Sequence, residues 1–222
     1  WWLIAVDHVR RAGQVSPDRW QAGVERAITW LLAQEHQRFR LLQQNEASDW
    51  ADIMPRSGYV LYTNALWYDV KRRFGLADAE ATHHHFNHLF DPFQRDLPEY
   101  HRARLLRHYA RRGRRDPGLY LSFVNLAVSG HEGDVFGNLM AVLLGLADTA
   151  KCHEIVQTIA TAQADEPYPV RVVLHRGQAV NAVLRQQGGG ITVCRAVTRT
   201  LTHQQMTKLQ NALPVFPAAK TA

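Results

Sequence analysis

Residues 49–68 gather more reactive side chains than any other part of this chain. The run opens Asp49-Trp50-Ala51-Asp52-Ile53-Met54-Pro55-Arg56-Ser57-Gly58. It continues Tyr59-Val60-Leu61-Tyr62-Thr63-Asn64-Ala65-Leu66-Trp67-Tyr68. Two carboxylates stand beside an indole, followed by a guanidinium, an amide and several aromatic rings. These are the parts of a sugar site: rings stack on the apolar faces of pyranose or furanose rings, while carboxylate, amide and guanidinium groups hydrogen-bond hydroxyls. If the site is hydrolytic, one carboxylic acid must hold a proton for the leaving oxygen. The candidate catalytic residues are Asp52 and Asp49. The candidate substrate-binding residues are Trp50, Arg56, Asn64, Trp67 and Tyr68.

Plainer readings exist for each. Loop acids such as Asp49 and Asp52 also cap helices and shape turns. Trp67 and Tyr68 fall at helical spacing, so one of the pair is expected in a core. His84 and His88 lie at i, i+4 in the run His83-His84-His85-Phe86-Asn87-His88, but no third ligand of suitable spacing is evident, and a solvated helix face is expected there rather than a metal. Arg102, Arg104, Arg107, Arg111, Arg112, Arg114 and Arg115 are interleaved with Leu105, Leu106 and Tyr109, the pattern of an ordinary amphipathic outer face. No phosphate-binding loop, dinucleotide fingerprint or Gly-x-Ser-x-Gly elbow is present. No cofactor is called for.

Helices joined by loops must position these residues. Residues 1–11 read as a helix interior without a start signal, ended by Gly13. Ser16-Pro17-Asp18 supplies an N-cap, a proline at the first helical position and an acid for a second helix reaching about Glu35. The polar stretch 36–58 reads as a long ordered loop, and loops of that length in compact domains are often functional. Helical spacing resumes near Thr63 and stops at Gly75. Further helices are expected over 77–90, 98–112, 135–146 and 149–162, with a turn at Asp116-Pro117-Gly118 and an extended stretch within 119–128. No β-rich block appears, so the expected class is all-α, with helices paired in layers or in a ring.

The joint order of Trp50-Ala51-Asp52, Pro55-Arg56-Ser57-Gly58 and Asn64-Ala65-Leu66-Trp67-Tyr68 resembles the (α/α)6-barrel glycosidases of the bacterial glycogen-debranching, amylo-α-1,6-glucosidase-like type. It is similar, more distantly, to the neutral/alkaline invertases. Trp1-Trp2-Leu3-Ile4-Ala5-Val6 looks like a barrel helix of these enzymes. Gly133-Asp134-Val135-Phe136-Gly137-Asn138-Leu139, Gly145-Leu146-Ala147-Asp148 and Pro167-Tyr168-Pro169-Val170 look like their later helix pair. The resemblance covers about 1–170 and implies a partial (α/α)6 toroid of six-hairpin type. It implies an inverting hydrolase of α-glycosidic bonds in glycogen-like glucan or a related oligosaccharide. In such enzymes an acid and a base carboxylate stand roughly 6.5–9.5 Å apart. Motif position makes Asp52 the general acid, with Asp49 as second choice or as a ligand of sugar hydroxyls.

The resemblance stops after Val170. Family members continue into a Gly-Gly-x-Trp-Pro-type turn and a general-base glutamate, whereas Gly188-Gly189-Gly190-Ile191 is not followed by Trp-Pro here. Charge marks the same break. The chain of 222 residues carries 26 Lys+Arg against 20 Asp+Glu, a formal +6. Residues 171–222 hold seven cations and no acid, which leaves 1–170 at −1. The basic pI therefore belongs to the tail and is no argument for nucleic-acid binding by the body. The tail reads as a frameshifted or mis-joined end, a divergent genuine tail, or a basic extension. The expected organisation is thus a glycosidase domain over 1–170 and an atypical tail over 171–222. The chain reads as a piece of something longer, inactive by itself for want of a base, with exposed helix faces that favour self-association.

The expected partner is an oligosaccharide or polysaccharide, with no nucleic acid and no membrane. The rival classes are a non-catalytic carbohydrate-binding or helical interaction protein and a basic nucleic-acid binder. The 46% apolar content suffices for a core, and the longest apolar stretch is too short to span a bilayer. Two cysteines, Cys152 and Cys194, are too few for a disulfide framework, which fits a reducing, cytoplasmic location.

Overall fold

A computed structural model describes residues 1–91, 105, 108, 118–125, 128–164 and 171–174. Six helices dominate the described residues: α1 (Trp2–Arg11), α2 (Gln21–Gln34), α3 (Leu61–Phe74), α4 (Ala79–Phe90), α5 (Val135–Leu143) and α6 (Thr149–Thr161). The only named strands among them are two residues each, β1 (Tyr59–Val60) and β2 (Phe123–Val124). They pair antiparallel with Tyr59 opposite Val124 and Val60 opposite Phe123. The expected helix-dominated class holds. The expected helix over 98–112 and the tail beyond Leu174 lie outside the described residues, as does most of the turn at Asp116-Pro117-Gly118.

α3 is the central element. Leu61, Ala65, Trp67, Tyr68 and Val70 are all buried, as are the polar Asn64, Asp69 and Lys71. A helix buried on several faces must have neighbours on several sides. α3 accordingly packs against α1, α4 and α5. Two apolar clusters result. The larger joins Leu61, Tyr62, Ala65 and Tyr68 of α3 to Phe86, Leu89 and Phe90 of α4, to Val135, Met140 and Ala141 of α5, and to Ile155 and Ile159 of α6. The smaller joins Trp67 and Val70 to Leu3 and Val6 of α1, Val24 of α2 and Leu42.

The helix ends follow local chemistry. Gly75 ends α3 at φ 62°, a left-handed conformation that costs glycine little. Asp134 and Asp148 cap α5 and α6, their carboxylates accepting from the backbone N–H of Gly137 and Lys151. The start of α2 departs from expectation. Ser16 does not cap it; residues 17–20 form a turn, and the helix begins at Gln21 after Trp20 takes φ 65°. A left-handed residue cannot lie inside a right-handed helix, so the cap signal at Ser16 is spent on the turn, where its hydroxyl accepts from the Asp18 N–H.

The stretch 36–58 is indeed an ordered loop, pinned to the helices at both ends. Gln44 and Gly58 exchange backbone hydrogen bonds at 2.9 Å. Gly58 sits at φ 79°, and a Cβ there would meet Asn125 Cβ at 2.7 Å and the Val124 carbonyl at 2.9 Å. This close approach lets the loop return directly into β1.

Candidate functional site

The loop over 49–58 is shaped by Asp49. Its Oδ1 accepts from the Ala51 N–H at 2.8 Å and its Oδ2 accepts from the Gln44 side-chain amide at 3.1 Å. Both oxygens of this carboxylate thus fold the turn that presents Trp50 and Asp52. Asp52 is exposed, and among the described residues its carboxylate makes no hydrogen bond or ion pair. Trp50 is 40% exposed. Its ring meets Tyr62 at 6.1 Å and Phe136 at 5.1 Å, both edge-on, and Tyr62 stacks on Phe136 at 5.4 Å. The Trp1 indole N–H donates to the Tyr62 hydroxyl. A partly open aromatic surface therefore lies against the turn that carries Asp49 and Asp52.

Four of the seven candidate residues lie elsewhere. Arg56, expected to bind substrate, is 1% exposed. Its Nε donates to Glu132 Oε1 at 3.1 Å, and its Nη1 lies 3.2 Å from Asp134 Oδ2. Asn64 is fully buried with its amide in use. Its Oδ1 accepts from the Leu42 N–H at 2.7 Å, and its Nδ2 donates to the carbonyls of Leu42 and Val60 at 3.1 and 2.9 Å. The Trp67 indole N–H donates to Glu35 Oε2 at 2.7 Å. Tyr68 is buried against Arg72 and His83. For these four the structure supplies framework duties where sugar contacts were expected. A side chain that fastens a loop to a helix has the same polar type as one that holds a ligand.

Arg56 explains how the loop is held. One buried guanidinium faces two buried carboxylates, joining residues 49–58 to the start of α5. Burial pushes the Asp134 carboxyl up to about 6, against the opposing pull of Arg56 and the Gly137 N–H; the nearby charges of Glu132 and Asp49 add to the rise. Arg56 Nη1 and Asp134 Oδ2 face each other as an ion pair without hydrogen-bond geometry, and Arg56 Nη2 and Glu132 Oε2 are likewise without a hydrogen bond. The cluster is an anchor under the site, closed to solvent.

Lys71 marks a second buried network. Its Nζ meets Glu35 Oε2 and donates to Thr82 Oγ1 at 2.9 Å, and Glu35 also takes the Trp67 indole N–H. Burial depresses the Lys71 ammonium's affinity for its proton, while Glu35 restores part of it. This network ties the end of α2 to α3 and α4. A polar cleft of about 400 Å³ lies beside Arg11, Asp69, Arg72, Arg73, Leu143, Leu144 and Gly145. Two of its arginines are committed: Arg11 to Asp7, and Arg73 to Asp7 and Asp69.

The histidine run is only partly the solvated face expected from sequence: His84 is exposed, His83 and His85 are half-buried and His88 is buried. His84 and His88 meet edge-on at 4.0 Å between ring centroids. Among the described residues no three His, Cys, Asp or Glu side chains converge as metal ligands. The basic segment over Arg102–Arg115, expected as an amphipathic outer face, falls outside the described residues, its Leu105 and His108 apart. Among the described residues no helix is long and apolar enough to cross a membrane.

Residues that the motif reading passed over complete the site. Tyr62 lay inside the reactive run as one more helix aromatic. Asp134 and Phe136 lay in the segment matched to a later helix, with Glu132 just before it, and nothing in local spacing tied them to residues 50–56. Comparison of this chain with family models, with curated proteins and with solved structures finds no match in any of the three.

Proposed function

We propose that this chain is a carbohydrate-active module whose parent reaction is hydrolysis of an α-glycosidic bond in glycogen-like glucan or a related oligosaccharide. The supporting observation is the partly open Trp50 ring, backed by Tyr62 and Phe136, on the same turn as the accessible carboxylate of Asp52. A sugar ring lying on Trp50 brings its glycosidic oxygen near that turn. In the inverting scheme Asp52 gives its proton to the departing oxygen as the C1–O bond breaks, which requires the bound sugar to cover this otherwise exposed carboxyl so that it holds the proton. Water bonds to C1 from the opposite face and loses a proton to a second carboxylate. Asp49, with both oxygens engaged, orients the turn and is not the donor.

The second carboxylate is unassigned, and no acid follows Glu166 in the sequence. The 222-residue chain by itself is therefore proposed to bind glucan without turning it over. A helical framework with a partial-toroid arrangement and a reducing cytoplasmic setting belong to the same reading. The non-catalytic alternative, a sugar-binding helical protein, draws on the burial of Arg56, Asn64 and Trp67, which leaves aromatic stacking as the main recognition element.

Calorimetric titration with maltotriose and measurement of glucose release from panose test the proposal together. Binding that weakens about tenfold in Trp50→Ala, with no glucose release, is the expected result. Absence of binding overturns the carbohydrate reading. If glucose is released and Asp52→Asn leaves the rate unchanged, Asp52 is not the proton donor.

A further inference from the structure

The site read from sequence lies within residues 49–68, yet an open ring against Trp50 comes from the start of α5. Phe136 is 37% exposed, whereas its neighbours Val135, Gly137 and Asn138 are buried. Its ring stands at 89° to Trp50 with centroids 5.1 Å apart, and at 29° to Tyr62 with centroids 5.4 Å apart. Tyr62 is only 5% exposed. The two open rings thus meet at a right angle, and Tyr62 backs the angle.

The position of Phe136 is fixed from below. Asp134 caps the turn by accepting from the Gly137 N–H at 3.1 Å, and its other oxygen faces Arg56. A Cβ at position 137 would come within 2.4 Å of Asp134 Oδ2 and 2.9 Å of a Leu61 methyl. The first turn of α5 is packed closely against Asp134 and Leu61, which places the backbone that carries the ring. Preorganised aromatic surface of this kind binds with little ordering cost.

We propose that Phe136 contacts substrate, forming with Trp50 and Tyr62 an aromatic corner that holds one hexopyranose ring of an α-glucan. The inference rests on the carbohydrate reading above and extends it to a residue outside the reactive run. A hexopyranose presents an apolar C–H face and, roughly at right angles to it, the C6 methylene edge. Two perpendicular rings match that pair of surfaces. A polar group suited to the sugar's hydroxyls is at hand: Asp52 is accessible on the turn beside Trp50.

Calorimetric titration of the full chain with maltotriose tests this, alongside Phe136→Leu, Phe136→Tyr and Trp50→Ala. Phe136→Leu keeps apolar bulk and removes the ring, so a five- to tenfold loss of affinity is expected; Phe136→Tyr keeps the ring and stays within about twofold. If Phe136→Leu binds like the parent while Trp50→Ala does not, the role of Phe136 is overturned and the carbohydrate reading stands. If the parent chain does not bind maltotriose, both fall. Should Phe136→Leu fail to fold, selectively labelled Phe136 decides the matter in the parent chain. Intermolecular NOEs from its ring protons to bound maltotriose support the proposal, and their absence overturns it.

Discussion

A guanidinium enclosed to the extent of Arg56 persists only with counter-charge, and it has two carboxylates. Removing it would leave Glu132 and Asp134 buried without a cation. Losing one partner of a buried ion pair typically costs about 3–5 kcal/mol. Arg56→Ala is therefore expected to lower the unfolding free energy by about that amount, read by urea denaturation monitored by circular dichroism. A loss below about 1 kcal/mol would mean that the guanidinium does not anchor the loop. The same residue shows why side-chain type alone misassigns duties. Pro-Arg-x-Gly in a polar loop invites a ligand-facing arginine, because its counter-charges lie at sequence separations of 76 and 78 residues. Lys71 and Glu35 are similar: each reads as a solvated charge until the fold brings α2, α3 and α4 together.

At the level of elements, the packing of α4 against the loop that follows α2 carries a pH dependence. His36 stacks on Phe39 at 4.7 Å between centroids, and Phe39 meets His85 edge-on at 5.4 Å. Burial, with repulsion from His84 and His36 added, brings His85 down from 6.5 to about 4. Between those values the unfolded chain binds a proton that the folded chain refuses, so stability is lost as pH falls from 6.5 towards 4. Allowing for partial exposure, His85 accounts for about 1–2 kcal/mol. Asp134 works in the opposite direction: its raised value makes the fold lose stability as pH rises from 3.8 to about 6. Comparing variants separates the two. The drop in melting temperature from pH 7.5 to pH 5 should shrink in His85→Gln, and an unchanged drop would remove His85 as the cause.

Element boundaries were legible wherever a local signal sufficed. Gly75 closes α3, α6 starts at Thr149 as expected, and the aperiodic stretch over 36–58 is a loop. The start of α2 was not legible, because a left-handed Trp20 has no compositional signature. Within the candidate site, the openness of Trp50 and the exposure of Asp52 agree with their polar surroundings in sequence. Phe136 escaped notice because an aromatic at the start of an apolar helix reads as core, and only its burial pattern separates it from Val135 and Met140.

On the scale of the whole molecule, apolar surface is left open on α1, on α2 and at the residue that precedes α2. Trp2, Trp20, Trp30 and Leu32 are between 45 and 63% exposed. Apolar side chains of this size in water favour association between copies. Sedimentation velocity at tens of micromolar should reveal concentration-dependent oligomers, reduced in Trp30→Gln. A monodisperse monomer across that range would contradict the expectation.

The short pairing of β1 with β2 has a consequence for how the chain acquires its site. Tyr59 and Val124 meet across 65 positions, and Arg56 reaches Glu132 across 76. Contacts this remote form only after considerable loop-closure entropy has been overcome. During synthesis, the turn bearing Asp52 emerges well before its anchor and its facing ring exist. The cluster of Trp50, Tyr62 and Phe136 is thus assembled only once translation has passed the first turn of α5, and a nascent chain halted earlier would present Asp49 and Asp52 without the facing ring.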